Sequence, residues 1–172
     1  MIDVRKIEKS DCPMIVFSTS RWNLFNYLTG WKTKGLWTHV MVLTQPDTLL
    51  TQDWAGLRSV PLANYLKKDM RLKFWKIKNL NQSQRDWINL NIYRAMRSPW
   101  WTRQYDFLGI FGQAVGWKAL NNPWKKFCVE RVQSILDGVV DQGPAHADPE
   151  QYNDALKLNP RMEVYGYWEV ED

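Results

Sequence analysis

Apolar residues recur along this chain in short runs and stripes whose period switches between that of a strand and that of a helix. Met14 to Ser18 is a run of β-formers following Asp11-Cys12-Pro13 and predicts a first strand. Asn23 to Leu28 predicts a short amphipathic helix closed by Gly30. Trp37 to Thr44 is continuously apolar except for His39, and Gln45-Pro46-Asp47 carries turn chemistry. Thr48 to Trp54 then returns as the partner strand of a hairpin.

The second half reads more helical. Pro61 to Lys67 predicts a helical turn, and Met70 to Lys78 a strand. Ser83 opens a helix with Asp86 three residues on, in a capping-box spacing. Trp87, Leu90, Ile92 and Met96 are its expected buried stripe, and Ser98-Pro99 ends it. Trp100 to Asp106 reads as a loop. In Phe107 to Trp117, Gly109, Gly112 and Gly116 suggest close helix packing rather than a phosphate cradle. Asn121-Asn122-Pro123 is a helix start, with the helix reaching about Leu136 and Gly138 as its stop. A polar loop, Asp141 to Pro149, leads to a helix over Pro149–Leu158 and a last strand over Met162–Val170. There is no internal repeat and no linker. The expectation is one α+β domain over residues 1–172, an antiparallel sheet packed against helices.

Composition narrows the class. At 172 residues, with 45% hydrophobic and 24% charged residues, the chain is long enough for a true core and is not a disordered sequence. Its eleven tryptophans are spread along the chain, which suits core and half-buried positions better than one aromatic platform. A net charge of +5 is mild. The concentrated basic stretch, Lys67, Lys68, Arg71, Lys73, Lys76 and Lys78, reads first as a solvated helix end and a lysine-blunted edge strand, and second as a surface for an anionic partner such as cell wall, phospholipid or nucleic acid. Met1 to Lys6 holds no apolar leader, and no apolar run reaches the roughly 18 residues of a membrane span, so a soluble protein of the bacterial cytoplasm or a virion is expected.

Candidate chemistry centres on one thiol. Cys128 falls near the opening of the Lys125–Val132 helical segment, where unpaired N–H groups and the helix dipole favour a thiolate. Lys125 and Lys126 add positive charge within a turn. His39, held on a rigid strand, is the preferred base, with His146 as its rival. An orienting group should come from Thr51, Gln52 and Asp53, of which Thr51 and Asp53 share a face opposite Gln52. Cys128 also lies on the apolar stripe of its helix with Val132, Ile135 and Leu136, so a small core residue is the plainer reading. Cys12 and Cys128 give no disulfide framework. No Gly-x-Ser-x-Gly elbow, His-Glu-x-x-His or P-loop occurs, and no metal or cofactor is expected.

The order of short motifs resembles a known family. Pro13-Met14-Ile15-Val16-Phe17, then Thr33-Lys34-Gly35 and Thr38-His39-Val40, are similar to the opening of the circularly permuted NlpC-type papain-fold hydrolases. The nearest branch is YiiX-like, related to lecithin:retinol acyltransferase. Tyr105-Asp106-Phe107 resembles the family's "YDF", Phe127-Cys128-Val129-Glu130 its "(F/Y)CSE", and Ala147-Asp148-Pro149 its C-terminal "(S/T)P" segment. Asp11-Cys12-Pro13 departs from the usual "GD" before the first strand.

The resemblance implies a permuted papain-like fold with Cys128 as nucleophile, His39 as general base and Gln52 as the third polar residue, an ungapped reading giving Thr51 instead. It implies Glu130 and the Tyr105-Asp106 pair as supporting groups. The expected function is a cysteine hydrolase acting on an amide or ester, a peptidoglycan peptide or a lipid-linked acyl group. The alternative is a non-enzymatic structural or adaptor protein retaining the fold, for example within a phage particle. A nucleic-acid partner is disfavoured, because the aromatics fit core stripes and no recognition motif appears.

Overall fold

A computed structural model describes residues 1–20, 36–53, 55–104, 128–140, 143–144 and 147–170. Its frame is a six-stranded antiparallel sheet. The strands are β1 (Met14–Ser20), β2 (His39–Gln45), β3 (Thr48–Asp53), β4 (Gly56–Pro61), β5 (Met70–Ile77) and β6 (Met162–Glu169). They lie in the order β4-β3-β2-β1-β5-β6. Four α-helices are described: α1 (Gln82–Arg97), α2 (Trp100–Arg103), α3 (Cys128–Leu136) and α4 (Pro149–Leu158). The α+β class is as expected. The predicted Asn23–Leu28 helix and the Phe107–Trp117 segment lie outside the described residues, as do the Asn121–Phe127 stretch and His146.

The central strands are apolar on both sides because both faces are covered, which is why β1 and β2 read as unbroken runs rather than alternations. Ile15, Phe17, Val40, Val42 and Leu50 face the helices, against Val129, Val132, Ile135 and Leu136 of α3, Ile88 of α1, and Tyr152 and Leu156 of α4. Met14, Val16, Met41, Leu43, Leu49, Leu72 and Phe74 face the other way, under Ile7, Leu62 and partly buried Tyr65 and Trp168. Each such side chain contributes roughly 1.5–3 kcal/mol when fully buried.

Four expectations are corrected. Gly56–Pro61 is a strand that the pattern did not predict, because Leu57 faces the helix side and Val60 the other, leaving no period-two signal. The capping box of α1 is Asn81 with Gln84, and Asp86 instead accepts a hydrogen bond from Gln82. The buried residues of α1 are Ile88 and Ala95, with Ile92 and Met96 partly buried, while Trp87 and Leu90 are exposed. Trp100–Arg103 is a helical turn rather than a loop.

The basic stretch is also not an edge. β5 runs between β1 and β6. Lys73 is buried, donating to Asn153 Oδ1 at 2.8 Å with its ammonium 4.5 Å from the Trp75 ring centroid and 5.5 Å from that of Tyr167. Lys76 pairs with Asp11. Among the described residues no helix is long and apolar enough to cross a membrane.

Candidate active site

His39 is the first residue of β2, directly paired with Ser18 of β1. The approach to it is pinned from α4: Glu150 accepts hydrogen bonds from the backbone N–H groups of Leu36 at 2.7 Å and Trp37 at 3.1 Å. Thr38 N–H then bonds the Ser18 carbonyl, starting the ladder. The histidine backbone is therefore fixed on both sides of the ring.

His39 Nε2 lies 2.7 Å from Thr51 Oγ1. Thr51 is fully buried on the neighbouring strand, and its hydroxyl also hydrogen-bonds the phenol of Tyr65. As a residue His39 is partly buried, but its ring is packed deeply enough that burial pulls its pKa down to about 4, with the Asp53 charge working the other way. The imidazole is thus neutral at neutral pH, as a proton acceptor must be. With one ring nitrogen engaged by Thr51, the other remains as a basic nitrogen.

The residue hydrogen-bonded to the His39 ring is Thr51 and not Gln52. The pleat turns Gln52 to the opposite face, where its Nε2 donates to the Arg103 carbonyl at 2.8 Å. Asp53, on the face shared by Thr51, forms an ion pair with Arg58 at 2.8 Å and caps the turn through the Ala55 N–H.

Cys128 is buried among the helix-side core residues, in a helix that packs across β2 and β3. Cys128 and Cys12 are not joined in a disulfide. Arg131, one turn along α3, bonds the Thr102 carbonyl, next to the Arg103 carbonyl held by Gln52. This sets the first turn of α3 at the end of the sheet where β2 begins and β3 ends. Burial holds the Tyr65 phenol above its ordinary range. The Thr51 hydrogen bond and the Arg58 charge oppose that rise, while the charges of Asp53 and of a Cys128 thiolate add to it.

The two candidate groups are not side by side on one surface. Strand alternation aligns His39 with Met41 and Leu43, on the face turned away from α3, whereas Cys128 belongs to the α3 side. Lys125, Lys126, Tyr105 and Asp106, also expected near the thiol, lie outside the described residues.

Sequence reasoning missed Tyr65 and Glu150. Tyr65 is a lone aromatic in a short turn and carries no signal. Glu150 is an ordinary helix N-terminal acid whose role depends on the distant Leu36–Trp37 backbone. No family model matches the chain, and no curated protein matches it.

Proposed function

We propose that the protein is a cysteine hydrolase of permuted papain-like architecture, cleaving an amide or ester in a peptidoglycan-type peptide. The observation that carries this reading is the 2.7 Å bond between His39 Nε2 and Thr51 Oγ1, at the sheet end against which the Cys128 helix packs. A hydroxyl that fixes one imidazole nitrogen selects the tautomer and aims the other nitrogen.

In this mechanism the Cys128 Sγ attacks the carbonyl carbon as its proton passes to the free ring nitrogen of His39. The tetrahedral oxyanion is met by the Cys128 backbone N–H. Collapse breaks the C–N or C–O bond, and the imidazolium returns its proton to the leaving amine or alcohol. Water then attacks the thioester with His39 as base, releasing the acid and restoring the thiol. Because burial keeps His39 neutral, its ring can accept the thiol proton as the sulfur attacks.

The test is mass-spectrometric detection of cleaved stem peptides after incubation with purified peptidoglycan fragments. Cleavage is expected, with a loss of at least about a hundredfold in Cys128→Ala and in His39→Ala. Equal cleavage by these variants and the wild type would refute the assignment.

A second reading is favoured by one observation, the alternation that turns His39 away from α3. On it the same residues are structural, the histidine and threonine being a satisfied buried pair, and the protein serves as an adaptor or particle component. It expects no cleavage by any variant and no dependence of thiol reactivity on His39.

A further inference from the structure

Two buried polar side chains near the start of α3 and the end of β3 have hydrogen-bonding capacity that no described residue uses. Arg131 is 7% exposed and Gln52 is 1% exposed. They bond consecutive carbonyls, Arg131 Nη2 donating to Thr102 at 2.9 Å and Gln52 Nε2 to Arg103 at 2.8 Å, so both are anchored on the same short helix. Arg131 Nε and Gln52 Oε1 are each buried with no partner among the described residues. Among the described residues no carboxylate forms an ion pair with Arg131.

A buried guanidinium without a counter-ion is unfavourable, and so is an amide oxygen without a donor. One group answers both deficits. The last residue of a peptide carries a carboxylate, which matches the planar fork of an arginine, and next to it an amide N–H, which an amide oxygen accepts. Arg131 stands three residues from Cys128, roughly 4.5 Å along the helix axis, so the same helix carries the thiol and the arginine.

We propose that Arg131 and Gln52 form a subsite for the free C-terminal carboxylate of a short peptide. Its meaning as a specificity site, directing cleavage near a peptide terminus, rests on the hydrolase reading. Its binding does not. The Arg131 charge is already disfavoured by burial, with Glu130 next to it in the chain working the other way, so an arriving anion stabilises a cation held at a cost.

The experiment measures binding of N-acetyl-Ala-Ala and of its C-terminal amide to the full-length Cys128→Ala protein by calorimetry and thermal shift. The acid is expected to bind at least about tenfold more tightly than the amide and to raise the melting temperature at millimolar concentration. Arg131→Met should remove that preference. Gln52→Glu supplies an internal carboxylate to Arg131 and should also abolish binding, while raising the melting temperature of the unliganded protein. Equal binding of acid and amide, absence of binding at millimolar concentration, or unchanged acid binding in Gln52→Glu would each overturn the subsite. Because the protein used cannot turn over, these outcomes are separate from any failure of the cleavage assay.

Discussion

His39 decides how the protein responds to acid. Its folded pKa of about 4 is below the ~6.5 of an exposed imidazole, because burial disfavours the cation. The unfolded chain therefore binds a proton as pH falls below 6.5, while the folded chain does not until about 4. Stability is fully present above 6.5 and is lost as pH falls through that window, by on the order of 3 kcal/mol from this residue. Urea unfolding at pH 7 and pH 4.5 should show a steeper loss in the wild type than in His39→Gln; equal slopes would mean the ring is not buried as described. Thr51→Val keeps the shape but leaves the ring nitrogen without its partner, and should cost about 1–3 kcal/mol in the same measurement. At this scale the thiol and the histidine could be singled out from residue type and local pattern. The choice between Thr51 and Gln52 could not, because neighbouring strand residues differ only in the face they present, and the face depends on a register set by β2 and β4.

Elements follow local rules where those rules need only a few neighbours. The α1 cap shows the limit: Ser83 with Asp86 and Asn81 with Gln84 both have the capping-box spacing, and only the path of the preceding turn selects the second. Asn81→Ala should lower stability by about 1 kcal/mol while Ser83→Ala changes little, measurable by thermal or urea unfolding. Trp87 and Leu90 were expected inside because the helix was read as having one apolar face. The core instead takes Ile88 and Ala95, a set that depends on where α3 lies. Gly56 joins β3 to β4 at φ +91°, and a Cβ there would stand 2.8 Å from the Arg103 carbonyl. Gly56→Ala should therefore cost about 1–3 kcal/mol and loosen α2, which carries the carbonyl that Gln52 holds. Chemical denaturation together with amide exchange at Thr102–Gln104 checks both parts.

For the molecule as a whole, the mix of strand-like runs and helical stripes made the α+β class legible, and the unbroken apolar runs at β1 and β2 find their reason in a sheet covered on both faces. The strand order β4-β3-β2-β1-β5-β6 was not legible, because β5 and β6 pair between residues more than eighty positions apart and no local pattern records that. The same ordering turns a basic stretch that looks like an edge into an interior strand with Lys73 buried against Asn153. Ile135, 1% exposed between α3 and the sheet, joins the core to the site helix. Ile135→Ala should cost about 2–5 kcal/mol by urea unfolding.

The site itself draws on both halves of the chain, His39 and Thr51 from early strands and Cys128 from a late helix. The most direct measurement is the rate of Cys128 alkylation from pH 5 to pH 9 in a Cys12→Ala background, with and without His39→Ala. A histidine that takes the thiol proton predicts labelling near pH 6 to 7 at least about tenfold faster when His39 is present, the gap closing above the free-thiol pKa of ~8.5. Superimposable pH profiles would contradict it and leave Cys128 as a core residue.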